Sequence, residues 1–168
     1  MRVGPATRNL LLLTHVTISV GMVGAVGCFL VLAGVGLGSS ETGPLVYSAM
    51  DLITRYLIVP LAVLSLALGI VQSLVTPWGL MRHYWVVLKL LLTVLVAVVL
   101  LMQTRNIATL AGLDAGALSG SEWATTRFSM VLHAGGGLFA LLLAMVLSVY
   151  KPRGLTRYGW TKHHSRPQ

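Results

Sequence analysis

The sequence predicts an all-α polytopic membrane protein: a bundle of four transmembrane helices with both termini on the cytoplasmic side. Long apolar runs, scarcity of charge and an uneven split of the charges between connecting segments point to it. Hydrophobic residues fill 56% of the 168 positions and charged residues 10%, and the mean hydropathy is +0.85. A soluble domain carries about a quarter charged residues, so this chain cannot cover itself with polar side chains. A spanning helix needs about 20 mostly apolar residues. The runs 10–37, 57–75, 84–102 and 128–150 each supply about that. A membrane barrel would instead alternate polarity over segments of about ten residues, and no such alternation is visible.

Taken in order, the helices are expected near 9–37, 45–76, 83–103 and 120–150, in a single membrane domain, 1–168, that ends in a basic tail, 151–168. The first run is about twice the length of a signal-peptide core, which spans roughly 7 to 15 residues, so it reads as a retained helix. The lone cysteine, Cys28, lies inside it and reads as a small packing residue. The second helix should start at Pro44, stand partly in the outer interface, pair Asp51 with Arg55 at i, i+4, and kink at Pro60. A tight turn with Trp78, Tyr84 and Trp85 at the interface leads into the third helix. Residues 104–125 read as the longest loop. Ile107, Leu110 and Leu113 there suggest a short surface helix, and Ser119 with Glu122 a capping box for the fourth helix. Small residues at close spacing mark three contact faces: Gly21, Gly24 and Cys28; Ser65, Gly69 and Ser73; Gly136, Ala140 and Ala144.

The charges orient the bundle. One side holds Arg2, Arg8, Arg82, Lys151, Arg153, Arg157, Lys162 and Arg166; the other holds Arg55, Arg105, Arg127 and all four acids, Glu41, Asp51, Asp114 and Glu122. Short segments rich in Lys and Arg stay in the cytoplasm, which puts both ends of the chain inside. The net charge of +8 then belongs to membrane anchoring and to anionic lipid headgroups. It is not a nucleic-acid footprint, because no folded basic domain carries it. The adjacent His163 and His164 read as a solvated tail end.

The functional signal lies in the stretch "HYWVVLKLLL", where Lys89 interrupts an apolar run. Lys89 is one turn past Trp85, His15 seven residues past Arg8, and Gln72 six residues before Trp78. At 1.5 Å per residue all three lie roughly 6 to 10 Å below the cytoplasmic interface, on three different helices. One reading has Lys89 snorkelling back to the headgroups, with His15 and Gln72 serving as interhelical hydrogen-bonding groups. The sharper reading joins them in one site turned toward the bundle interior. A neutral imidazole and an uncharged amine are both nitrogen ligands, and two of them on different helices at one depth suit a haem iron bound from opposite faces.

"THVTISVGMVGAVG" resembles the first helix of small four-helix bacterial membrane proteins that carry a His near its start, followed by small residues. "WVVLKLLL" resembles their third helix, with Lys four residues after Trp. The haem-dependent protoporphyrinogen oxidases of four-helix type and the copper-resistance-D-like membrane proteins are similar in outline. The ending "LSVYKPRGLTRYG" resembles a family of small integral membrane proteins of actinobacterial type. The resemblance implies His15 and Lys89 as a functional pair, haem b as cofactor and a redox role.

A second polar cluster is expected on the opposite side. His133, six residues past Arg127, should face inward, where Gln103, Asp51 and Arg55 can approach it from other helices. His133 and His15 are the candidate metal ligands, too far apart in depth to share one haem. No intramembrane carboxylate pair, nucleophile elbow or phosphate-binding loop is present. The rival to a redox protein is a non-enzymatic membrane component: a subunit that packs on a membrane partner or on a second copy of itself, or a carrier of a small solute or metal.

Overall fold

The computed structural model describes residues 4–39, 41–76, 79–152, 154, 156 and 160. Arg2, Ser40, Trp78, Arg153, Arg157 and the tail from Thr161, with His163 and His164, lie outside the described residues. Four helices are long and apolar enough to cross a membrane: Pro5–Gly38, Gly43–Val75, Tyr84–Ala111 and Ser121–Tyr150. The chain is an all-α, four-helix membrane bundle.

Helix α1, Pro5–Gly38, opens with Pro5 in its first turn, where a missing N–H costs nothing. Its buried face is His15, Met22, Ala25, Val26, Phe29, Ala33 and Gly36, a stripe at helical spacing. The small-residue stripe expected to make contact faces out instead. Cys28, Gly21 and Gly24 are exposed, and a Cβ on Gly24 would meet nothing within 4 Å. The buried stripe mixes large side chains, Met22 and Phe29, with the small Ala25, Ala33 and Gly36, because lipid is as apolar as the core and leaves the choice of face to packing.

The second span is made of α2, Gly43–Ile53, a π-helical turn, Thr54–Ile58, and α3, Val59–Val75. Pro60 was expected to kink this helix, and the widened turn directly precedes it. The proline has no N–H for the carbonyl four residues back, and its ring crowds that carbonyl. An i→i+5 turn relieves both without a break. At the same level Thr54 Oγ1 donates to the Met50 carbonyl at 2.7 Å.

The α3–α4 turn carries Gly79 at φ +61°, the left-handed region that favours glycine. Thr156 pairs with this turn: its N–H donates to the Arg82 carbonyl at 2.9 Å, and its hydroxyl donates to the Met81 carbonyl.

Helix α4, Tyr84–Ala111, runs two turns beyond the end near residue 103 that the sequence suggested. Ile107 and Leu110 are therefore not on a surface helix. They are core residues, 1% and 0% exposed. The short helix is α5, Ala115–Leu118, capped by Asp114, whose carboxylate accepts from the Ala117 N–H at 2.7 Å. The expected Ser119 capping box does not form. Ser119 donates back to the Gly116 carbonyl, and the last span starts as a 3-10 turn, Ser121–Trp123, before α6, Ala124–Tyr150. Lys151, at φ 43°, closes α6 in a left-handed turn, and Pro152 follows it.

Helix α1 packs on α2, α3 and α6; α4 packs on the same three. So α1 and α4 stand diagonally across the bundle. The fully buried large side chains, among them Tyr47, Met50, Ile107, Leu110 and Leu118, gather at the end that holds the α1–α2 connection and α5. There Leu118 reaches Gly43, where a Cβ would come within 2.8 Å of it. The opposite end is looser: α3 buries only Ala62, Ser65 and Ser73, and α4 buries only Val86 before its last turns.

Candidate functional site

In the looser half, α1, α3 and α4 converge on His15, which is 6% exposed. Gly69 of α3 makes room for its ring: a Cβ there would stand 3.3 Å from His15 Cε1. One turn further along α1, Ser19 and Ser65 bring their hydroxyls to 3.4 Å, so α1 and α3 approach closely at the imidazole and one turn beyond it.

Lys89 reaches this ring from the diagonal helix. Its Nζ lies 3.4 Å from His15 Nε2. A diagonal contact runs through the bundle centre, so the side chain points inward and not to lipid. Thr93 Oγ1 donates to the Lys89 carbonyl at 2.9 Å and leaves the Nζ group uninvolved. His15 Nδ1 is buried with no hydrogen-bond partner among the described residues. Gln72, one turn beyond Gly69, is half-buried, and no hydrogen bond joins its amide to the pair among the described residues. Glu41, Asp51, Asp114 and Glu122 lie toward the other end of the bundle, so among the described residues a positive charge on Lys89 has no carboxylate beside it. The site suits either an anionic group or a cation held by neutral nitrogens.

A metal–nitrogen bond is about 2.0 to 2.1 Å, so an ion held in line between two nitrogens needs about 4 Å. The observed 3.4 Å is short of that by roughly 0.6 to 0.8 Å, an opening that the flexible four-carbon stem of a lysine can supply. Among the described residues, no three His, Cys, Asp or Glu side chains gather as metal ligands. A metal at His15 and Lys89 would have to bring its other ligands with it, as the iron of a porphyrin does. As nitrogen donors the two side chains are of the type that ligates haem iron, and at 3.4 Å they touch each other directly.

The second cluster forms on α4 and α6. Gln103 Nε2 lies 2.8 Å from His133 Nδ1 and 3.4 Å from Ser129 Oγ. The Ser129 hydroxyl and carbonyl oxygens lie 2.9 and 2.7 Å from the same ring nitrogen. Asn106 completes the chain by donating to Gln103 Oε1 at 2.7 Å. The residue is exposed, yet it lines a cavity between the helices together with the core residues Met22, Phe29 and Met130. Asp51 and Arg55 do not join it. They pair with each other, the Arg55 Nε reaching both carboxylate oxygens at 2.8 Å. His15 and His133 are not brought together, so they form no shared metal site.

Sequence reasoning missed Asn106 and Thr93. Asn106 sits three residues past Gln103, a spacing that puts both on one helix face. Thr93 is four residues past Lys89 and answers a backbone carbonyl. Comparison with protein families, curated proteins and solved structures finds no match to this chain.

Proposed function

We propose that this chain is a haem-b-binding redox protein of the bacterial inner membrane, with His15 and Lys89 as the nitrogen pair and both termini in the cytoplasm. The observation that carries the reading is the approach of Lys89 Nζ to His15 Nε2, 3.4 Å apart, across the bundle. Two nitrogen donors on diagonal helices are costly to place in an apolar interior and serve little packing purpose there. Bound haem would supply one-electron transfer. The residues around it do the rest. Gly69 seats the His15 ring, the α1–α3 contact at Ser19 and Ser65 fixes its depth, and the surrounding apolar helices exclude water. The distant likeness to haem-dependent four-helix oxidases and copper-resistance-D-like proteins supports the same pair, and the Lys and Arg distribution supports the orientation.

A second reading has its own observation. The His15–Lys89 contact already gives each facing nitrogen a partner, as a cofactor-free membrane subunit or small-solute carrier would need. Visible absorption of the protein purified from haem-replete cells decides between the two. The redox reading expects a Soret band that is lost in His15→Ala and lost or shifted in Lys89→Met, with helicity kept. A colourless wild-type protein removes it in favour of the second.

A further inference from the structure

A cavity of about 400 Å³ lies between α1, α4 and α6, at the level of the π-helical turn. Its walls are apolar, with Met22, Phe29 and Met130 among them, and among the described residues the only polar side chains lining it are Gln103 and His133. Leu95 and Leu132, which also line it, are 57% and 62% exposed, so the cavity opens sideways on the apolar surface between α4 and α6.

His133 makes all its protein contacts through Nδ1: Gln103 Nε2, the Ser129 hydroxyl and the Ser129 carbonyl crowd that one atom. Its Nε2 has no partner among the described residues. An imidazole nitrogen left unmatched in hydrocarbon is costly, because no water is there to satisfy it. The Nδ1 contacts hold the ring in place, so Nε2 is a fixed polar point on an otherwise apolar wall. Few fixed polar groups on an apolar lining, at a volume in the range of roughly 300 to 1,000 Å³, are the marks of a small-molecule site.

We infer that this cavity binds a lipid-soluble quinone or its quinol, with a ring oxygen on His133 Nε2 and the tail leaving between α4 and α6 into the bilayer. A quinone carbonyl accepts a hydrogen bond and a quinol hydroxyl donates one. A ring nitrogen that is either donor or acceptor, according to its tautomer, serves both forms. A phospholipid acyl chain would fill the apolar volume and leave Nε2 unmatched. The site lies on other side chains than the His15–Lys89 pair and stands whether or not that pair holds haem.

Decylubiquinone titrated into the full-length chain in nanodiscs tests it, with decylbenzene as a tail that has no carbonyl. The expected result is saturable binding of the quinone and none of decylbenzene. His133→Ala should weaken quinone binding about tenfold, the scale of one hydrogen bond. Gly137→Leu should abolish it while the melting midpoint holds, because a Cβ at Gly137 meets nothing within 4 Å and the added side chain occupies cavity space. Should Gly137→Leu fail to fold, His133→Ala and the decylbenzene comparison decide alone. Equal binding by decylbenzene, full affinity in His133→Ala, or no saturable binding at all overturns the proposal.

Discussion

Tyr47 is 0% exposed and its hydroxyl is buried with no hydrogen-bond partner among the described residues. Its ring is wedged against Gly36, where a Cβ would stand 3.0 Å from Tyr47 Cζ. The residue therefore works as an aromatic plug for the packed end of the bundle, and its polar tip contributes nothing visible. Tyr47→Phe keeps the plug and removes the unmet group. It should leave the melting midpoint unchanged or raise it, by up to about 1 kcal/mol in stability; a loss of that size in detergent unfolding would assign the hydroxyl a partner. Lys89 is the opposite case. Its charge stands out in an apolar run, and counting residues gives its depth, yet its partner follows only from the diagonal placement of α1 and α4.

At the scale of the element, the connection between α4 and α6 is a short, capped structure and not a loose loop. Asp114 caps α5, and Leu118, 0% exposed, anchors it to the start of α2 at Gly43. Asp114→Ala should cost about 1 kcal/mol, the usual worth of an N-cap. Because the anchor at Leu118 stays, the loss should be local: faster hydrogen exchange at the amides of Ala117 and Leu118, with α4 and α6 unchanged. Exchange that speeds along α6 as well would make the cap part of the global fold. The capping box expected at Ser119 is absent for a related reason. Asp114 starts the helical turn five residues earlier, and Ser119 is left to answer a carbonyl at the end of that turn.

For the whole molecule, an even number of spans puts both chain ends on one side, and the tail contact of Thr156 with the 81–82 turn agrees with that. Which side faces the cytoplasm rests on charge. In a chain whose Cys28 is replaced by Ala, a membrane-impermeant thiol reagent applied to intact cells should label Ser121→Cys and spare Ser165→Cys. Labelling of the tail position from outside would reverse the orientation.

The sequence by itself determined the class, the number of spans and the level of each polar group along its helix, because these depend on length, apolarity and counting along a 1.5 Å rise. His15 and Lys89, and likewise His133 and Gln103, were legible as candidates because polar groups in an apolar run are costly and few. Only the tertiary structure decided which face of each helix turns inward. In a bilayer the surroundings and the core are both apolar, so periodicity gives no inside face. That is why the Gly21, Gly24 and Cys28 stripe faces out, and why Ile107 and Leu110 proved to be core. It is also why the cavity lined by His133, and the reach of Lys89 to His15 across the bundle, could not be read from the sequence.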